Sequence, residues 1–490
     1  MEHIFALVII AIFVVGATII GVLPGLRGKS GNLEEWAVGG RNFPRWMNWF
    51  VLAGEIYTAF AFLGASGWAY SRGGPTFYIL GYGSLAYVLG YWILPLIAPL
   101  GRKYNLMTQP DLVEKMYNSR PLGILVAIIG VGFLIPYLQL QLTGLGIIIE
   151  TCSYNLIDRN TAMIIAFIFV AVFVYLSGLH GVASTAVIKD IVMVVVVVGF
   201  GLYIPYHFFG GVGPMFEALN AAKPGFLTLP GPTAKLDVLW VATTLALTSL
   251  GFYMWPHYAA SSFSAKDSNV LRHNSIYLPL YNICLIFPML IGFTAILALA
   301  TPLGAADSDK AFMMMVQQIF PPWVLGLVGG AGALACMIPA AELTLTTSML
   351  VTRNIYGKTA GQNVSEEKMG KLARTMVFVL AIVALYLAIF QSRALVNLLL
   401  TGYSGVTQFF PMIVLGLIWK KATKIAAFAS VIVGEGLVFY WLIWAKMDPL
   451  PMEFLGGHVN AGFAALVINI IVFVVVSLMT YKPGRGVLNS

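Results

Sequence analysis

Stretches of about 20 apolar residues recur along the whole chain, each long enough to cross a bilayer as a helix. About thirteen can be placed, near residues 3–22, 46–70, 76–100, 123–150, 161–179, 190–210, 239–258, 275–300, 323–352, 373–391, 395–418, 425–443 and 461–480. In lipid every backbone N–H and C=O must be paired within the protein, so such a series of spans folds as a helical bundle. Composition agrees: 59% of the residues are hydrophobic and 10% charged, against about 25% charged in a soluble chain. The expected fold class is all-α and integral to the membrane, with residues 1–490 as one membrane domain.

The formal charge of +8 has a topological explanation. With the N-terminus outside, 21 of the 28 Lys and Arg residues fall on cytoplasmic segments, among them Arg27, Lys29, Arg102, Lys103, Lys420, Lys421 and Arg485. The positive-inside rule selects that orientation, and the odd helix count places the C-terminus in the cytoplasm. The basic excess therefore implies no nucleic-acid partner. Cys152, Cys284 and Cys336 are scattered and give no disulfide or metal framework. The first apolar stretch runs into LPGLRGK without a small-residue cleavage site, so it is expected to stay as a span. The expected location is the plasma membrane, the inner membrane of a bacterium.

An acidic residue, Glu55, lies inside the early span NWFVLAGEIYTAFAFLGASGWAY. A carboxyl in apolar surroundings is costly, which makes it a candidate functional group. The same span carries Gly64 and Gly67, and the span near 239–258 carries Gly251 and Pro256. Glycine and proline interrupt the backbone ladder, and interruption within a membrane is tolerated where it lines a buried or watery site. The two interruptions lie five spans apart, the spacing of corresponding helices in two inverted repeats over 46–210 and 239–418. There is no GxxxxGK[ST] phosphate loop and no nucleophile–base set. These features point to a secondary transporter and away from an enzyme or an ATP-driven pump.

Several segments carry a resemblance: EEWAVGGRNFPRW with Gly39, Gly40 and Arg41, GEIYTAFAFLGASGWAY, PYLQLQLTGLG, WPHYAASSFSAKDSNVLRHN and MIPAAELTLTTSMLVTRNIYG. Over roughly residues 34–420 the chain resembles the solute:sodium symporter family, and within it the bacterial monocarboxylate permease branch. The resemblance implies a leucine-transporter-type fold of ten core helices in two inverted repeats, preceded by one helix (3–22) and followed by two (425–480). It also implies alternating-access symport of a small solute with a cation, and no cofactor.

Two departures matter. Sodium-coupled relatives carry a Ser/Thr hydroxyl pair on the eighth core helix that helps form an oxygen cage. In this chain that pair falls on Ile338 and Pro339, neither of which ligates sodium through its side chain. Where the family commonly has Thr-Asp at the start of the fifth core helix, this chain has Lys189-Asp190. Lys189 stands in for the lost cation and carries a proton, or, as its place at a helix end favours, it snorkels toward the cytoplasm with Asp190 as its pair.

The remaining candidates follow from position. Glu55 is a proton carrier, a cation ligand or a structural partner of another helix. Tyr57 and Thr58 follow it in the first core helix, where the resemblance puts the ion and substrate region. Gln139 and Gln141 are two apart and cannot share a helix face, and Gln141 is expected to face the cavity. Trp255 and His257 close the sixth-helix unit, with His257 either a titrating group or a cap. Glu342 lies one turn after Ile338 and either replaces the lost polar ligation or meets the fifth helix. The expected function is symport of a short monocarboxylate, similar to lactate, pyruvate or propionate, with protons favoured over sodium. The alternatives are sodium-coupled symport of an amino acid or pantothenate, and a non-transporting nutrient sensor. The partners are the solute, the coupling cation and the lipid bilayer.

Overall fold

The computed structural model describes residues 2–24, 33–391, 393–446 and 451–482. Arg27, Lys29 and Arg485 of the charge count, and residues 25–29 of the segment after the first helix, lie outside the described residues.

The chain runs through α1 (Glu2–Pro24), α2 (Leu33–Val38), α3 (Arg45–Gly54), α4 (Ala65–Arg72), α5 (Tyr78–Lys103), α6 (Gln109–Tyr117), α7 (Arg120–Cys152) and α8 (Arg159–Phe209). It continues through α9 (Val212–Ala222), α10 (Val238–Gly251), α11 (Pro256–Ser264), α12 (Ser268–Asn282), α13 (Ile286–Ala298), α14 (Ala311–Ile319) and α15 (Pro322–Met349). The last helices are α16 (Glu366–Phe390), α17 (Leu395–Val406), α18 (Gly416–Ile418), α19 (Lys424–Phe439) and α20 (Ala461–Thr480). Among the described residues ten helices are long and apolar enough to span a membrane, and eleven if the bent pair Val238–Met254 and Pro256–Ser264 is one span. Two expected spans are fused in α8, whose helical path breaks at Gly178 (φ 59°, ψ −170°), a conformation open only to glycine. The short pieces α3 and α4 together occupy the expected span 46–70.

Capping residues fix where helices start. Asp158 accepts the amides of Asn160 and Thr161 at α8, Asp237 that of Trp240 at α10, and Asn460 that of Gly462 at α20. Pro256 and Pro322 open α11 and α15, where a missing N–H costs nothing. Burial differs sharply between helices. Within its most apolar window α15 is 94% buried, whereas α1 is 28% buried, with Ile4, Phe5 and Ile12 turned outward. Thus α15 is the axis of the bundle and α1 a peripheral helix with a lipid-facing side. One element departs from the all-helical expectation: strands β1 (Pro451–Phe454) and β2 (Gly457–Asn460) pair antiparallel, Met452 opposite Val459, in the connection between α19 and α20.

At one end of the bundle the chain before α3 is stitched to the chain after α11. The Phe43 amide donates to Ser264 O at 2.9 Å and the Lys266 amide to Phe43 O at 3.1 Å. Deeper in, Asn48 Nδ2 donates to Ser261 O at 3.0 Å. The half-helices α3 and α11 are therefore held together as a pair.

Candidate functional site

Both interrupted helices meet at the centre of the bundle. Residues 55–58 leave the helical path between α3 and α4, and a π-type turn over Phe60–Gly64 leads into α4. Unwinding strands backbone carbonyls that water cannot reach. Buried side chains collect them. Tyr87 Oη donates to Leu52 O at 3.3 Å, and Tyr137 Oη to Glu55 O at 3.4 Å. Lys189 Nζ donates to Gly54 O at 2.5 Å and to Tyr57 O at 3.2 Å. On the amide side, Gln141 Oε1 accepts the Ala59 N–H at 3.1 Å and Thr58 Oγ1 accepts the Phe60 N–H at 3.2 Å. The second break bends the α10–α11 span by 52°. Trp255 is extended there (φ −63°, ψ 133°), and Gln109 Nε2 donates to the freed Met254 carbonyl at 2.7 Å.

Lys189 does not snorkel. Its side chain is 0% exposed, and its ammonium also pairs with Asp190 Oδ1 at 3.0 Å. The ammonium thus rests on two freed carbonyls of the first break, with the neighbouring carboxylate as counter-ion. Ile338 and Pro339 are buried apolar residues of α15, so their side chains add no oxygen nearby.

The second cluster joins Glu55, Ser261 and Glu342. Ser261 Oγ is 2.7 Å from Glu55 Oε1 and 2.7 Å from Glu342 Oε1. His257 Nε2 is 3.7 Å from Glu55 Oε2. Glu342 therefore meets the sixth-helix unit through Ser261. Trp255 forms an aromatic wall, its ring 4.9 Å from that of Tyr137 and 5.4 Å from that of Tyr403. The Tyr57 ring packs on Tyr281 at 4.7 Å. The structure brings Glu55, Tyr57, Thr58, Gln141, Lys189, Asp190, Trp255, His257 and Glu342 to the two breaks. Gln139 takes the opposite face of α7, donating to Leu387 O and Gln391 O of the α16 end. Thr344 and Thr347 bond their own helix, to Ala340 O and Leu343 O.

Sequence reasoning passes over Ser261, although it lies one turn after His257 in a short apolar half-helix. It also passes over Gln109, whose partner is a carbonyl that only the bend exposes. Glu435 carries the same signal as Glu55, an acid in an apolar span; it is 4% exposed and both its carboxyl oxygens lack a hydrogen-bond partner.

A helical membrane bundle with two broken helices crossing at a polar centre is the architecture of a transporter, and residues 36–434 match the sodium:solute symporter family. The chain belongs to that family. It is 42% identical to the uncharacterized symporter YhjB of Bacillus subtilis (strain 168), over 96% of this chain and 97% of that protein. It is 30% identical to a monocarboxylate transport permease protein of Rhizobium johnstonii, over 97% of this chain and 96% of that protein. Among solved structures, a Na+-coupled sialic acid symporter in a substrate-bound outward-open state superposes with a TM-score of 0.80 at 16% identity, covering 98% of both chains. This symporter thus has the leucine-transporter-type fold, and is a multi-pass membrane protein that couples a solute to a cation.

Proposed function

We propose that this symporter imports a short monocarboxylate together with protons. The observation that carries the reading is the Lys189 ammonium, lodged on Gly54 O and Tyr57 O and paired with Asp190. A resident ammonium supplies at the first break the positive charge that a transported sodium ion would otherwise bring. Unlike sodium it is covalently held and stays with the protein, so this site needs no transported sodium ion to be filled. The Ile338 and Pro339 side chains support the same reading, since neither can complete a sodium cage.

The substrate class draws support from the Rhizobium relative, named for monocarboxylate transport. A small anion would bind between the two breaks, with Thr58, Gln141, Tyr57 and Trp255 around it and the N-terminal ends of the half-helices facing its carboxylate. Residues 46–210 and 239–418 would form the two repeats that rock about this centre. The count of basic residues supports an N-terminus outside a cell's inner membrane and a C-terminus in the cytoplasm.

The test is uptake of labelled lactate, pyruvate and propionate into proteoliposomes, with acid-outside and sodium gradients imposed separately. Uptake driven by the pH gradient alone is the expected result. A strict need for sodium would overturn proton coupling and point to a sodium symporter of another solute, such as an amino acid or pantothenate. Solute binding without accumulation under either gradient would point to a sensor.

A further inference from the structure

The geometry points to a single proton held jointly by Glu55 and Glu342 through Ser261, latching α15 to the α3–α11 pair. A serine hydroxyl has one hydrogen to donate. Ser261 Oγ nonetheless lies 2.7 Å from a carboxyl oxygen on each side, the ordinary length of an O–H···O hydrogen bond. Two such contacts need two hydrogens, and the serine supplies at most one, its other acceptor in reach being the more distant His257 O at 3.2 Å. The second belongs to a carboxyl group: one glutamate is a carboxylic acid whose O–H points at Ser261 Oγ, while the serine O–H points at the other, a carboxylate. Either carboxyl can be the donor with the same two O···O contacts, so one proton serves the whole chain Glu55–Ser261–Glu342.

The surroundings keep that proton in place. Glu55 is 5% exposed, Glu342 4% and Ser261 0%. Two carboxylates at this separation with no proton between them would repel in a poorly solvated site. The charged and titratable groups facing the pair are few. On the broken sixth-helix unit they are His257, with Nε2 at 3.7 Å from Glu55 Oε2, together with Tyr253 and Tyr258. Tyr87 and Tyr137 face it from α5 and α7. From α8, Lys189 is in electrostatic range of Glu342, with its ammonium committed to Asp190 and the freed carbonyls.

The consequence for the cycle is mechanical. Glu55 ends α3, Ser261 lies on α11, and Asn48 already ties α3 to α11 through Ser261 O. Glu342 lies on α15, the buried axis. When the shared proton leaves, the serine can bond only one of two carboxylates, and the link between the half-helix pair and the axis is cut. This role in transport rests on the proton-coupled reading above.

The test is infrared spectroscopy of the purified full chain in neutral buffer, counting carboxylic-acid carbonyl bands in the wild type, Glu55→Gln and Glu342→Gln. Either Gln side chain can donate to Ser261, so in each variant the remaining glutamate is satisfied as a carboxylate. Each single variant is therefore expected to lose one whole carboxylic-acid band. Loss in only one of them would show that the glutamate left in the other variant keeps a proton without its partner and overturn the single-proton link; loss in neither would show that both are ionised and overturn the inference. If a single variant does not fold, the double Glu55→Gln/Glu342→Gln variant, neutral on both sides, is counted instead. One band lost is expected, and none or two overturns the single proton. The count uses neither solute nor gradient. Sodium-driven uptake would thus end the proposed function and leave the count standing, while an absent band would end this inference and leave proton-driven uptake open.

Discussion

The ammonium of Lys189 sits 2.5 Å from the carbonyl oxygen of Gly54, a contact between α8 and α3 that joins residues 135 apart in the chain. It exists because α3 stops at Gly54 and leaves that oxygen without an amide, and because Gly54 has no side chain to fill the space. A Cβ there would lie 3.0 Å from Lys189 Nζ.

Replacing Lys189 by Ala leaves Asp190 as an unpaired buried carboxylate and two carbonyls without donors. Breaking a buried pair from one side costs about 3–5 kcal/mol, so a clear fall in the thermal unfolding temperature is expected, together with loss of uptake. The double variant Lys189→Ala/Asp190→Ala removes the stranded charge. It is expected to regain most of the stability while uptake stays absent. Recovery of uptake in the double variant would show the pair to be structural only.

Gln141→Ala strands the Ala59 amide at the start of the second half of the broken helix. A buried donor left without a partner costs about 1–3 kcal/mol. Solute affinity is expected to fall with the loss of order at the break. Gln139→Ala, on the face turned to α16, is expected to lower stability without changing affinity. Binding isotherms on both variants separate the two faces of α7.

Close helix packing around the first break makes Gly292 intolerant of a side chain. An added Cβ would fall on Ser66 O and lie 2.9 Å from Ala69 Cβ. Gly292→Val is therefore expected to destabilise by about 1–3 kcal/mol through overpacking. Gly16→Ala, with open space around the new carbon, is expected to be nearly neutral. Thermal unfolding of the two variants compares them directly.

At the end of the bundle where α10 begins, Asp237 clamps the β-hairpin, accepting from the His458 amide at 2.8 Å and lying 2.9 Å from its ring Nδ1. Partial burial works against ionisation, but the Trp240 amide and the His458 side chain and amide outweigh it and hold the carboxyl below the usual range. A carboxyl lowered in the folded state adds stability above its unfolded pKa, about 3.9, and loses it as pH falls through the folded value. Protection factors of the amides in residues 451–460, exchange rates corrected for their intrinsic pH dependence, should therefore be high near neutrality and fall in strong acid. Asp237→Asn is expected to show lower protection at neutral pH and to lack the acid-induced loss.

Membrane class was legible in the sequence because each span must bury its own backbone hydrogen bonds, so most segments declare themselves by length and apolarity, although about thirteen were expected and ten or eleven qualify among the described residues. Glu55, Gly251 and Pro256 were legible for the same reason, as local violations of that rule. The fusion of two spans in α8 at Gly178 was not, because one glycine in an apolar run does not reveal its φ. The hairpin was also hidden, since its strands are four residues each and are held by Asp237 from a distant segment.

The residue types at the centre were fixed by the sequence alone: a lysine and an aspartate side by side, two glutamates 287 positions apart, and no hydroxyl at 338 or 339. Only the tertiary structure decided which of them meet. Lys189 is at a helix end by periodicity and in the core by packing, because α3 unwinds beside it and offers carbonyls that compensate its burial. Ser261 is one serine among several until α3 and α15 bring a carboxyl to each side of it. Spacing along a helix determines which residues share a face, whereas the partner of a buried polar group is set by which broken backbone and which neighbouring helix lie opposite that face.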